Sequence, residues 1–220
     1  MDDPWRCDRL GFPLVWVPEI EAYVHRFPVT KLQIEVFLAD LPDGRFAGDW
    51  YSQVTAANPR LPLAKLGVHN YWRAFLTGVH PYEALRFARW LGDGFDLPTE
   101  RDWKELLTVA PLAPAGMPQA GLGGCWQARR DQLLHRLEEI STDLAASTGR
   151  PLAGGEPRFL DLGVIEWVET DEESGRWFGH GAPHPAFFAN LTSLDESLPN
   201  PDDDEIRRSP FGFRLLYRQS

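Results

Sequence analysis

Leu97-Pro-Thr-Glu-Arg-Asp-Trp103 is the stretch that decides how this chain folds. Pro98 crowds the backbone before it and keeps Leu97 out of a helix. Thr99 can then cap a helix by accepting from the free N–H groups of the first turn. Asp102 stands where it can reach back to the Thr99 N–H, a short form of the capping box that usually employs Glu or Gln. Glu100 and Asp102 also place negative charge at the positive end of the helix dipole. Behind the cap, Trp103, Leu106, Leu107 and Ala110 recur at helical spacing, which predicts a buried face to about Ala110. Taken alone, the heptapeptide describes an ordinary helix start.

Its neighbours give it a setting. Upstream, Thr77-Gly-Val-His-Pro-Tyr-Glu-Ala84 runs into Leu85-Arg-Phe-Ala-Arg-Trp-Leu91, with Pro81 suited to a first helical turn and Gly92 and Gly94 to a stop. Further upstream, Thr30 can cap a helix whose inner face holds Leu32 or Gln33, Val36 and Phe37, ended by the turn residues Pro42-Asp-Gly44. Downstream lie Ile165-Glu-Trp-Val168 and Phe211-Gly-Phe-Arg-Leu-Leu216. In this order the pieces from Phe27 to Tyr217 resemble the formylglycine-generating enzyme (sulfatase-modifying factor) family, with its RLPTEAEW, GNVWEWV and closing GFR elements. The resemblance implies an α+β, C-type-lectin-like fold. That fold is loop-rich, with short antiparallel strands and two to three packed helices.

On this reading residues 1–220 form one such domain. The segment Trp126–Ala146 matches no family element, yet Leu133, Leu137, Ile140 and Leu144 recur at helical spacing opposite Arg129, Arg130, Arg136, Glu138 and Glu139. It is an extra inserted helix, either packed against the fold or offering a partner-binding face. Residues 1–12 read as a polar surface segment and Pro13–Val17 as a first strand. Arg45 to Arg73 reads as ordered loop, as does the Gly/Pro-rich run 111–124. Strands are expected within Phe159–Thr170 and Phe213–Tyr217, and residues 171–210 have no periodicity.

Composition narrows the class. A chain of 220 residues with 43% hydrophobic and 25% charged residues suits one folded domain rather than disorder. Nine Trp and thirteen Phe against two Met provide rigid rings for loop packing or for lining a groove. The net charge of −10 opposes nucleic-acid phosphates and anionic membranes, so neither is an expected partner. Cys7 and Cys125 make no disulfide framework and no zinc spacing. No apolar run reaches the roughly 20 residues of a membrane helix. The acidic start lacks a signal-peptide core, and the cytoplasm is expected.

The family's oxidases bind copper through a late cysteine pair beyond an RGGSW-type element. Here the interval Glu169–Phe211 holds no cysteine, and Gly175-Arg-Trp-Phe-Gly179 stands where that element would fall. Without thiolates Cu(I) has no such seat, so no catalytic residue is assigned, and Cys7 and Cys125 read as inert thiols. The related ergothioneine-type synthases hold iron with histidines, partly from an extra helical domain. His69, His80, His135, His180 and His184 form no helical ligand pair, so no metal ligand is assigned. Calcium is the one cofactor left open: Glu166 matches the family's site, but Gly163 replaces its Asn, and a hard cation wants six to eight oxygens. The acidic run Asp202–Glu205 reads as a solvated loop.

In the implied fold the stretch before the closing GFR is the face that reads ligands. Residues 171–210 carry Trp177, Phe178, His180, His184, Phe187, Asn190, Arg207 and Arg208, aromatic and polar side chains of the sort binding surfaces favour. The plainer reading makes the aromatics loop core. The expected function is therefore non-catalytic recognition of a protein or peptide through 171–210. The alternatives are a divergent metal-dependent oxidoreductase of the same family, and a variable binding protein of a diversity-generating retroelement.

Overall fold

Both ends of the described chain contribute to a five-stranded antiparallel sheet. The computed structural model describes residues 5–41, 48–106, 124–148, 163–171, 175–181, 184, 207 and 209–219. The strands are β1 (Trp5–Cys7), β2 (Pro13–Val17), β3 (Ala22–His25), β4 (Phe95–Asp96) and β8 (Leu216–Tyr217), in the order β1-β2-β3-β8-β4. Three more strands, β5 (Ile165–Glu169), β6 (Trp177–His180) and β7 (Phe211–Gly212), make a second sheet in the order β6-β5-β7. There β5 runs antiparallel to β6 and parallel to β7. With helices α1 (Lys31–Asp40), α2 (Trp50–Ala57), α3 (Pro81–Leu91), α4 (Glu100–Leu106) and α5 (Gly124–Thr148), the fold is α+β.

The helix starts follow from their caps. Thr30 Oγ1 accepts from the Gln33 N–H at 3.3 Å while Gln33 Oε1 accepts from the Thr30 N–H at 2.8 Å, a full capping box on α1. Pro81 opens α3, and the Glu83 carboxylate accepts from the His80 N–H at 2.9 Å. On α4 the reciprocal pair is Thr99 N–H to Asp102 Oδ2 at 2.9 Å and Asp102 N–H to Thr99 Oγ1 at 3.1 Å. Trp103 and Leu106 then enter a cluster with Val15, Val17, Val24, Val168 and Leu216. Leu107, Ala110, the turn at Pro42–Gly44 and residues 111–123 lie outside the described residues.

The cap stretch also ties the sheets together. The Glu169 N–H donates to Pro98 O at 2.9 Å, and Arg218 reaches Asp102 Oδ1 at 2.7 Å. Across the other side of β5 the buried Arg214 donates to both Glu166 oxygens, at 3.0 and 2.9 Å, and to the carbonyls of His25 and Arg26 at 3.0 Å each. Gly212 precedes it where a Cβ would lie 2.6 Å from Leu76 O, so only glycine lets β7 approach so closely.

Several expectations need correction. Residues 5–12 are not a surface wrap: β1 pairs with β2, while Asp8, Leu10 and Phe12 are buried, the Asp8 carboxylate accepting from the Leu10 and Phe12 N–H groups. Pro13–Val17 is accordingly the second strand. The stretch Arg45–Arg73 is not all loop; α2 forms there and buries Trp50 and Val54. Among the described residues four α-helices besides α5 are present, not two or three. Of the expected closing strand Phe213–Tyr217 only Leu216–Tyr217 is strand, β7 lies just before that range, and β6 forms inside the aperiodic interval.

Helix α5 begins at Gly124 and packs against the fold, burying Leu133, Leu134, Leu137 and Ile140 in the main core. Each such side chain contributes about 1.5–3 kcal/mol by leaving water. Arg130, expected on the outer face, is fully buried and donates to Leu10 O at 3.1 Å. Arg136 donates to Leu66 O at 2.8 Å, so even the polar side of α5 grips its neighbours. Among the described residues, no helix is long and apolar enough to cross a membrane.

Candidate functional site

Alternation along β6 sets the character of the expected binding face. Its partners on β5 are Glu169, Val168, Trp167 and Glu166 for Trp177, Phe178, Gly179 and His180 in turn. Residues 165–168 are buried, whereas all four residues of β6 are half-buried, as fits the outer strand of the described sheet. Successive side chains point to opposite faces. Trp177 accordingly packs against the main core cluster and Phe178 against the smaller one containing Trp103. Arg176 sits over the Phe178 ring at 5.3 Å.

The two histidines rest on different aromatic platforms. The His180 ring lies 4.9 Å from that of Trp103. His184 stacks on Trp72 at 5.7 Å and meets Tyr71 edge-on at 5.8 Å, while its backbone N–H donates to Gly163 O at 2.8 Å. Burial, with His69 nearby, holds the His184 imidazole below its ordinary pKa, so at neutral pH it is an uncharged ring. Trp103, Tyr71 and Trp72 were not among the expected site residues. Trp103 reads from its spacing as core, and Tyr71 and Trp72 stand in a stretch without period, so only the three-dimensional contact reveals their part.

Arg207 is held from beneath. Its guanidinium makes a two-pronged ion pair with Glu83, both contacts at 2.8 Å, and donates to Gly78 O at 3.0 Å. Glu83 also accepts from the Trp50 indole at 2.6 Å. Burial pushes this carboxyl up, but the Arg207, His80 and Trp50 donors overcome it and leave it below the ordinary range. Arg207 therefore fastens its segment to the start of α3. Phe187, Asn190 and Arg208 lie outside the described residues.

Glu166, the one carboxylate matching the family's calcium site, has both oxygens on Arg214. Gly163, in place of the family's Asn, has φ 72°, and a Cβ there would lie 2.8 Å from the Tyr71 hydroxyl. A calcium site of the family's kind does not fit here. Among the described residues no group of three or more His, Cys, Asp and Glu side chains could hold a metal ion. The thiols of Cys7 and Cys125 are unpaired, and burial pushes the Cys7 thiol up to about 11, the reverse of a reactive cysteine. Compared with models of known protein families and with curated proteins, the chain matches none.

Proposed function

We propose that this chain is a non-catalytic recognition module with a C-type-lectin-like fold related to formylglycine-generating enzyme. It reads a protein or peptide, in the cytoplasm, through the surface built on residues 171–210. The family reading is supported by the way the motif-bearing segments bond to one another. Val29 N–H donates to Phe213 O and Gly78 N–H to Phe211 O, both at 2.8 Å, while Arg214 clasps Glu166 and Glu169 meets Pro98. Two unpaired thiols agree with a reducing compartment.

The observation that carries the recognition reading is β6, whose aromatic residues are half-buried on an outer strand backed by a packed one. Such a strand offers backbone groups for an added strand and rings for alternate side chains of a peptide. The test is capture from a lysate of the native host on wild-type protein and on Trp177→Ala, Phe178→Ala and His184→Ala, each with its melting temperature measured. A specific partner should be lost by roughly thirtyfold or more at one or two positions whose replacement leaves stability unchanged. Stability losses at all three positions, with capture of that partner unaltered, would assign the aromatics to loop core. Turnover of a cysteine-containing sulfatase peptide that depends on Cys7 or Cys125 would overturn the non-catalytic reading.

A further inference from the structure

A pocket on another part of the molecule gathers positive charge in a chain whose net charge is −10. It encloses about 340 Å³ between α1, the 3-10 turns Leu63–Lys65 and Tyr71–Ala74, and α5. Four cationic residues line it: Lys31, Arg60, Arg73 and Arg129. The rest of the wall is largely apolar, including Leu61, Leu63, Leu66 and Leu133. It shares no residue with the 171–210 surface and does not rest on the recognition reading.

The charges around it are not balanced from within. Glu35 is the nearby carboxylate, and it is already engaged by Arg60 and by the Tyr51 hydroxyl at 2.7 Å. The buried Lys31 ammonium donates to Arg73 O at 2.6 Å, a neutral acceptor. Arg73 Nε is buried without an acceptor among the described residues. A buried donor without a partner costs about 1–3 kcal/mol, and the same residue lines the pocket. The groups facing Lys31 are Glu35 on its own helix, Arg73, Arg60 and, across the pocket, Arg129. Burial and then Arg73 push Lys31 down to about 7, so an anion there would restore its charge.

We propose that this pocket binds a compact amphiphilic anion, an apolar body carrying one carboxylate or phosphate head. The head sits against Lys31 and Arg73, whose planar guanidinium suits either oxyanion, and the body lies on the leucines. The volume is at the small end of ligand sites, which favours one short chain or ring over a polymer.

Titration calorimetry on the full chain tests this with decanoate, decyl phosphate, decanol, acetate and inorganic phosphate. One of the two charged decyl probes should bind one-to-one, at least tenfold tighter than decanol and than the small anions, and its identity distinguishes the head. Arg73→Gln should weaken it tenfold or more, and Leu63→Trp, which fills the pocket without touching charge, should abolish it. Lys31→Met should lose affinity together with the wild-type fall in binding between pH 6 and 9. Decanol binding as tightly as the charged probes, no binding by any probe, or full affinity in both Arg73→Gln and Leu63→Trp at wild-type melting temperature would overturn the assignment.

Discussion

Arg214 and Arg73 are drawn into this molecule on different terms. Arg214 is wholly buried, and two carboxylate oxygens and two carbonyls accept its protons. Arg73 is half-buried beside a second cation, Lys31, and its Nε is buried with no acceptor among the described residues. The first arrangement is closed: nothing further can bind without breaking it. The second has attraction left over. Internal saturation distinguishes charge that holds the fold from charge that is available to a ligand, even where both are arginines in one chain.

The largest effect should come from opening the closed site. Glu166→Leu strands the Arg214 charge and should cost about 3–5 kcal/mol in denaturant unfolding, much of which Arg214→Met in the same chain should return. A single-variant cost below about 1 kcal/mol would show that the site is not closed. Trp103→Ala should follow at about 3 kcal/mol, the lower range for emptying an aromatic site, because the ring keeps slight exposure. An unchanged melting temperature would remove the cap stretch from its organising place.

Arg207→Ala should cost less, about 2 kcal/mol at neutral pH, since 26% of its side chain is exposed. The Glu83 carboxyl is held below its unfolded value, so this stability is present above that value and fades as pH falls through the folded one. The difference between wild type and variant should therefore shrink in acid. The smallest effect belongs to the open site. Lys31→Met should be neutral or stabilising by about 1 kcal/mol at neutral pH, as buried charges often are when replaced by apolar groups. Lys31 titrates near 7 when folded and nearer its ordinary 10.5 when unfolded. Wild-type stability should then rise relative to the variant from pH 7 towards 10, where the unfolded chain binds the extra proton. A wild type that loses ground over that range would show that Lys31 is well paired.

Local chemistry was legible in the sequence wherever a short run carried its own instructions. Thr30 with Gln33, His80 with Glu83 and Thr99 with Asp102 fix helix starts by bonds spanning three residues, Pro81 opening the second of them, and the structure places the starts after Thr30, at Pro81 and after Thr99 as read. Helix α2 escaped because Asp49, at its N-cap, makes no side-chain cap bond and Trp50-Tyr-Ser-Gln-Val-Thr-Ala-Ala57 buries only Trp50 and Val54. Strand β1 escaped because Arg6 and Cys7 gain their setting only by pairing with Leu14 and Pro13. Arg130 looked solvent-facing because its acceptor, Leu10 O, lies 120 residues away. The contacts of His180 with Trp103 and of His184 with Tyr71 and Trp72 had no signal in the sequence, because these rings meet only through space. The cationic pocket had no signal at all: its charges come from four separate segments.

The position of β8 bears on how this chain is made. Leu216 pairs with Val24 on one side and Asp96 on the other, so the sheet has a gap at its middle until the last strand arrives. At a synthesis rate of about 5–20 residues per second, β3 waits roughly 10–40 s for its partner. Over that interval β3 leaves the ribosome with one edge open and the Arg26 and His25 carbonyls without Arg214. The sheet is therefore completed only once Leu216 is available, and a nascent chain stalled before Leu216 should remain sensitive to protease however much of its length has emerged.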